Sequence, residues 1–194
     1  MGQDQLALLA AVLSGALFLL FRNWRLTLAA LSVQYLGVFI WVREIWGLEL
    51  AAIKLIAGWM AVAILGATLR GAAADLDDDD TGILFKLFLF IILLLVAWSS
   101  GGEVGSWLAG VTQEQGLAGI ILVGTALIRL GFHTRALQIV LCLLFLFSGF
   151  ELWFAVFEDS ALTAVLLGVS NLALSLVGAF LHGQETAGTA VLPE

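Results

Sequence analysis

Long apolar segments constrain this chain more than any other feature of its sequence. About seven such runs follow one another, most of them roughly 17 to 22 residues long, and a helix needs about 20 apolar residues to cross a bilayer. The runs are continuously apolar, whereas the strands of a membrane barrel alternate apolar and polar residues. Because backbone groups in lipid must bond within their own segment, we predict an all-α, polytopic integral membrane helix bundle of about seven transmembrane helices. The predicted helices are Gln5–Phe21, Leu26–Val42, Leu48–Leu69, Ile83–Ser99, Gly116–Leu130, Ala136–Phe157 and Ser160–Leu181.

The composition excludes a soluble fold. Apolar residues make up 62% of the 194 residues and charged residues 12%, whereas soluble domains are about half apolar and a quarter charged. The net charge of −7 owes much to one acidic segment between Asp75 and Asp80, and the eight Lys and Arg residues form no basic patch. We therefore expect the lipid bilayer as a partner and no nucleic acid.

The sequence contains no pattern typical of an enzyme. Cys142 is the only cysteine, which excludes an intrachain disulfide and a cysteine-based metal site. No nucleophile–base pair, phosphate-binding loop or dinucleotide fingerprint occurs. His133 lies in a predicted turn and is expected to be solvated. We predict no catalytic residue, no cofactor and no metal site, and we do not expect this chain to be an enzyme.

The distribution of basic residues predicts the orientation. With the N-terminus outside, six of the eight Lys and Arg residues fall at the cytoplasmic side, as the positive-inside rule requires. These six residues are Arg22, Arg25, Arg70, Lys86, Arg129 and Arg135. Lys86 and Arg129 lie close enough to the inner boundary for their side chains to extend to it. We predict a multi-pass protein of the cell (inner) membrane with a cytoplasmic C-terminus.

The first three and the last three predicted helices share a plan. In each unit a basic turn follows the first helix, and the second and third helices each carry one strongly polar residue. Two directly joined three-helix units would run in opposite directions, so one further helix makes the repeat parallel. We predict a first three-helix unit at residues 1–70, a connecting helix at 83–99 and a second unit at 116–182. The remaining predicted segments are an acidic cytoplasmic loop at 71–82, an outer loop at 100–115 and a flexible C-terminal tail at 183–194.

The second unit carries a pattern that occurs in a known family. Its first helix begins with the glycine-rich stretch Gly116–Gly119, a basic turn follows, and its second helix contains Phe147–Leu152. In these features residues 116–182 resemble the three-helix K subunit of bacterial complex I and the C subunit of Mrp-type cation/proton antiporters. Residues 5–69 resemble the same family more weakly. The resemblance implies a membrane subunit of an ion-translocating assembly, with antiporter-like membrane subunits as partners.

The same resemblance implies roles for residues inside the membrane. Glu151 matches the family's second-helix glutamate, which lies on the proton-conducting path. The family's third-helix glutamate has no match here, because Lys54 holds that place in the first unit and Asn171 holds it in the second. The implied proton or ion path includes Lys54 and Glu151, and Gln34 and Asn171 extend this polar track.

The depths of Lys54 and Glu151 indicate that the two side chains meet. An ionisable group in hydrocarbon costs at least ~2.5–3.5 kcal/mol, so it usually faces a cavity or a partner. Each residue is the seventh from the outer end of its predicted helix, which places both about 10 Å below the outer boundary. We predict a Lys54–Glu151 pair across the interface between the two units. Gln34 and Asn171 are expected to hydrogen-bond neighbouring helices.

Two functions stay open at this point. In the first, the chain belongs to a complex I-like or Mrp-antiporter-like assembly, and the Lys54–Glu151 pair contributes to a proton or cation path. In the second, the chain is a structural or accessory membrane subunit of a respiratory or photosynthetic complex with no transport of its own. The pair would then only join the two units.

Overall fold

A computed structural model describes residues 2–71, 81–108 and 110–189. Most of the predicted acidic loop and the last five residues of the predicted tail lie outside the described residues. Within the described ranges the regular secondary structure is entirely α-helical, which confirms the all-α part of the predicted fold class. The helices are α1 (Gln3–Leu20), α2 (Trp24–Gly71), α3 (Ile83–Trp107), α4 (Gln113–Leu130), α5 (Ala136–Phe157) and α6 (Ala161–Thr189).

Five of these helices are long and apolar enough to cross a membrane, namely α1, α2, α3, α5 and α6. These lengths and compositions are compatible with a multi-pass membrane protein. Helix α4 is less apolar because it begins with Gln113, Glu114 and Gln115 and carries Arg129 in its last turn. Ten of its 18 residues are nevertheless buried, since α4 packs against α1, α3 and α5. The least apolar helix therefore lies inside the bundle.

The second helix corresponds to two predicted helices, and the connection between them is shorter than predicted. The sequence predicts Leu26–Val42 and Leu48–Leu69 as separate helices, but α2 continues between them and is interrupted only at Gly47. Gly47 has φ 81° and ψ 168°, a region that is essentially restricted to glycine. The division into two helices is therefore as predicted, but residues 43–46 are helical, because they include no helix breaker and polarity alone does not end a helix. We call residues 24–46 the first limb of α2 and residues 48–71 the second limb.

The two limbs of α2 lie side by side and run in opposite directions. Leu28 meets Gly66 near the open end of this hairpin, and Tyr35 meets Gly58 near its middle. A Cβ atom at Gly58 would lie 2.7 Å from the Tyr35 ring, so the close approach of the limbs requires glycine there. The chain thus folds back at Gly47.

The helix ends show which sequence signals are reliable. Helix α5 has the predicted bounds, Ala136–Phe157. Helix α3 continues to Trp107, about two turns beyond the predicted end at Ser99. Helix α6 continues to Thr189 instead of ending at Leu181. The predicted ends of these two helices lie where the apolar residues stop. The helices continue further because no proline interrupts the polar residues that follow.

The core forms where α1, α2, α4 and α5 meet. Phe18 of α1 stacks on Phe145 of α5 with ring centroids 4.2 Å apart. Tyr35 and Trp41 of α2 are also almost completely buried. Helix α3 is less enclosed, and it exposes Leu84, Leu95, Trp98 and Trp107. This apolar outer surface is suited to contact with a lipid bilayer.

Candidate functional site

The predicted pair of Lys54 and Glu151 is present. Lys54 on the second limb of α2 and Glu151 on α5 form an ion pair between Nζ and Oε2. The exposed fractions are 3% for Lys54 and 0% for Glu151, so protein surrounds both side chains. The prediction that these residues meet is confirmed. They meet because the chain folds back at Gly47, which brings the second limb of α2 beside α5.

Asn171 of α6 is part of the same cluster. Its Nδ2 atom donates a hydrogen bond to Oε1 of Glu151 over 3.4 Å, and the Asn171 side chain is fully buried. One carboxylate oxygen of Glu151 therefore meets Lys54, and the other meets Asn171. This confirms the predicted hydrogen bond of Asn171 to a neighbouring helix. Three helices, α2, α5 and α6, converge on one carboxylate.

Trp46 covers one end of this cluster. The Lys54 ammonium group lies 5.9 Å from the centroid of the indole ring, a distance typical of a cation–π contact. The indole Nε1 donates to the carbonyl oxygens of Ala155 and Glu158, at 3.1 and 2.9 Å. These carbonyls belong to the end of α5, where the intrahelical donors run out. Trp46 thereby holds the first limb of α2 against α5, directly above the ion pair.

Gln34 lies on the first limb of α2 and reaches α5 as predicted. Its Nε2 atom donates to the carbonyl oxygen of Phe145 over 3.2 Å, and the side chain is 1% exposed. The bond confirms the predicted link between helices. Gln34 contacts α5 about two turns before Glu151, so its amide is a neighbour of the ion pair along the helix.

Several buried polar atoms in this region have no hydrogen-bond partner within the described residues. The atoms are Gln34 Oε1, the Tyr35 hydroxyl, Ser148 Oγ and Asn171 Oδ1. The Tyr35 hydroxyl faces Ser148 and Glu151. Buried polar atoms in proteins are almost always bonded to protein or to ordered water. The Tyr35 and Ser148 hydroxyls can bond each other, which leaves Gln34 Oε1 and Asn171 Oδ1 as acceptors without a partner among the described residues.

A second buried charge lies near the other end of the bundle, at a residue that is not predicted to be buried. Arg129 of α4 is 3% exposed, so the expectation that it extends to the membrane boundary is wrong. Its guanidinium group donates to the carbonyl oxygen of Phe18, to Gln138 Oε1 at 3.1 Å and to Thr27 Oγ1 at 3.4 Å. The Phe18 carbonyl belongs to the last turn of α1, where carbonyl groups have no intrahelical partner. Arg129 thus satisfies the end of a helix.

Lys86 and His133 are also buried, contrary to expectation. Lys86 is 4% exposed, so protein covers its side chain. His133 is 8% exposed, and its Nδ1 atom lies 3.0 Å from the carbonyl oxygen of Arg129. The sequence shows how far these residues are from a helix end but not which face of the helix packs inward. One available signal was that Thr27, Arg129 and Gln138 lie at the same depth on three predicted helices.

Two stacked rings separate the regions of buried charge. Gln34 binds the backbone of Phe145, whose ring stacks on Phe18 with 13° between the ring planes. The Arg129 guanidinium carbon lies 4.2 Å from the centroid of the Phe18 ring. From the ion pair to Arg129, the contacts are therefore first polar, then aromatic and finally cation–π. The aromatic stack interrupts a continuous polar track.

Comparison with protein-family models, curated proteins and solved structures finds no match for this chain. Among the described residues, no three His, Cys, Asp or Glu side chains lie together in an arrangement that could hold a metal ion. The interpretation of the site depends on its own geometry and on the sequence pattern.

Proposed function

We propose that this chain is a membrane subunit of a complex I-like or Mrp-antiporter-like ion-translocating assembly, and that Lys54 and Glu151 take part in its proton or cation path. The observation that carries the proposal is a buried ion pair beside buried polar atoms, some of which have no hydrogen-bond partner among the described residues. Ionisable residues inside membrane proteins commonly mark such paths. The resemblance of residues 116–182 to the K and C subunits supports the same function.

The chemistry of the pair suits proton exchange. A proton that moves from the Lys54 ammonium group to the Glu151 carboxylate leaves an amine and a carboxylic acid, and the net charge of the pair does not change. Water bound at Ser148 or Asn171 can then take the acid proton or supply a new one to the amine. Asn171 keeps its hydrogen bond to Glu151 in both states, because a carboxylic acid still offers an acceptor oxygen.

The closed ends of the site favour a path that continues in partner subunits. Trp46 covers the pair on one side, and the Phe18–Phe145 stack lies on the other. Beyond the stack, Arg129 is a fixed positive charge, and such a charge in a pore repels protons and cations. A straight path through this chain alone is therefore unfavourable. Within an assembly, the pair would exchange protons with polar residues of a neighbouring subunit.

The proposed topology has seven crossings in two parallel three-helix units, with the N-terminus outside and the C-terminus inside the cell (inner) membrane. The break at Gly47 supports it, because the two limbs of α2 then count as separate crossings. Corresponding helices of the two units also contact each other, α1 with α4 and α2 with α5 and α6. A repeat about an axis along the membrane normal would bring these helices together.

A second candidate function is a structural or accessory subunit of a respiratory or photosynthetic complex. It is favoured by the completeness of the ion pair, since both charges are compensated and almost fully buried. In this case Glu151 would join α2, α5 and α6 and conduct nothing. Antiporter-like partner subunits would not be required.

Proton and sodium movement in membrane vesicles that contain the native assembly separates the two functions. The variants are Glu151→Gln and Lys54→Ala, and the matched control is Glu103→Gln, which changes an exposed carboxylate of α3. We expect ion movement to fall at least tenfold in both site variants while the amount of assembled complex is retained. Normal ion movement with intact assembly would refute the relay, and loss of assembly alone would favour the structural subunit.

A further inference from the structure

A groove runs along the open end of the α2 hairpin, far from the ion pair. Its first part is a cavity of ≈ 370 Å³ lined by Trp24, Arg25, Leu28 and Arg70. Its second part is a cavity of ≈ 330 Å³ that shares Trp24, Leu28 and Arg70 and continues along the second limb to Val62. Because the two cavities share these residues, they form one groove between the limbs. We call it the α2 groove.

The open end of the α2 groove carries two guanidinium groups that are free to bind an anion. Arg25 and Arg70 are both exposed, and within the described ranges neither guanidinium group has a hydrogen bond or an ion pair. Arg25 lies over the Trp24 ring at 5.3 Å, which fixes its direction at the mouth of the groove. Two uncompensated positive charges face one cavity of ≈ 370 Å³.

The floor and the second part of the α2 groove are apolar. Leu28 closes the floor against Gly66, where an added Cβ atom would lie 3.3 Å from the leucine. Ala63 and Ala67 are exposed small residues on the second limb, and they leave the space into which a larger side chain would project. The groove therefore changes from cationic to apolar over about two helical turns.

We propose that the α2 groove binds an anionic phospholipid. The phosphodiester lies between Arg25 and Arg70, and one acyl chain lies along Ala63 and Ala67. Basic pockets between transmembrane helices bind anionic lipid headgroups, and guanidinium groups match phosphate oxygens in pairs. Trp24 is placed as tryptophans are at the boundary between hydrocarbon and headgroups.

The apolar part of the groove decides between a lipid and a free anion. Arg25 and Arg70 alone would suit inorganic phosphate equally well. A free phosphate would leave the surface at Val62, Ala63 and Ala67 uncovered, whereas an acyl chain covers it. The lipid accounts for both parts of the α2 groove with one molecule.

Native mass spectrometry of the purified full chain, titrated with phosphatidylglycerol or phosphatidylcholine, tests the proposal. We expect phosphatidylglycerol to bind more tightly, and we expect Arg25→Gln and Arg70→Gln each to weaken it about fivefold. Arg43→Gln is the control, since it removes the same charge near Gly47, at the other end of the first limb of α2. Equal binding of the two lipids, or an equal loss in the Arg43 control, would overturn the proposal.

Two further arms test the shape of the α2 groove and the source of the phosphate. Ala63→Leu fills the apolar part without changing charge, and we expect it to weaken phosphatidylglycerol binding as much as the loss of one arginine. Displacement of the lipid by millimolar inorganic phosphate would show a simple anion site and contradict the proposal. Circular dichroism of each variant establishes that the helices are retained. Glu151→Gln should leave lipid binding unchanged, so this proposal and the proposed proton path can fail separately.

Discussion

The molecule buries charge in two regions and compensates it in different ways. Lys54 meets an opposite charge on Glu151, whereas Arg129 meets neutral carbonyl, hydroxyl and amide oxygens. Lysine and glutamate can both become neutral by exchanging a proton, but arginine stays protonated in proteins. Burial of a charge therefore does not by itself indicate a proton path. The chemistry of the partner distinguishes an exchangeable pair from a fixed cation that completes a helix end.

The largest effect that would sharpen this comparison is on the stability provided by the Lys54–Glu151 pair. Lys54→Met leaves Glu151 buried and uncompensated, so we expect a loss of about 3–5 kcal/mol in the free energy of unfolding. The double variant Lys54→Met with Glu151→Leu should recover most of this loss, because neither charge is then left alone. Unfolding of the reconstituted chain by denaturant titration measures both values. A double variant with the summed loss of both single variants would show that the residues are not coupled.

Arg129 should behave differently, because its described hydrogen bonds go to three separate oxygen atoms. We expect Arg129→Lys to lose about 1.5–3 kcal/mol of unfolding free energy, since an ammonium group cannot reach three oxygens in the fork geometry of a guanidinium group. Arg135→Lys, an exposed residue before α5, is the matched control and should change little. The same denaturant titration applies. If Arg129→Lys matched the control, Arg129 would not stabilise the end of α1.

Close packing beside the ion pair gives the next effect. Gly58→Ala places a Cβ atom 2.7 Å from the Tyr35 ring, and we expect a loss of about 1–3 kcal/mol from overpacking. Gly102→Ala is the control, because no atom lies within 4 Å of its added Cβ atom. The control should be neutral or stabilising, since alanine favours a helix more than glycine does. Equal unfolding free energies for the two variants would contradict the described approach of the α2 limbs.

The smallest effects should come from the amides that assist each charge. Asn171→Leu removes the bond to Glu151, and Gln138→Leu removes a bond to Arg129. Hydrogen bonds between membrane helices contribute about 0.6 kcal/mol on average, so both losses should be modest. Ion movement distinguishes the variants: Asn171→Leu should reduce it, and Gln138→Leu should not. Equal effects on ion movement would remove the functional distinction between the two regions.

The sequence predicts the Lys54–Glu151 pair because the number of residues from the end of a predicted helix gives the expected depth of each side chain. Lys54 and Glu151 have equal predicted depths and opposite charges, so each provides the partner that the charge of the other needs. The bounds of α5 are predicted correctly because charged residues, Arg135 and Glu158, stand directly beside its apolar run.

The sequence does not predict the burial of Arg129 or the position of the turn in α2. Arg129 packs inward because the end of α1 supplies a free carbonyl, and the relative position of two helices is not a local property of either. Trp46 fits an interfacial belt by its position, yet its indole group binds the end of α5. The turn at Gly47 depends on a positive φ angle. Glycine permits this conformation but does not require it, so the presence of a glycine does not by itself predict the turn.

The most direct test of the central claim is the protonation state of Glu151 during ion movement. Infrared difference spectroscopy of the native assembly in membranes, with a proton gradient applied and then collapsed, detects carboxylic acid groups that gain or lose a proton. The account predicts a carboxylic acid band that changes with the gradient and disappears in Glu151→Gln but persists in Glu103→Gln. A difference spectrum in which Glu151→Gln removes nothing would show that the carboxylate stays paired with Lys54 throughout and would contradict the account.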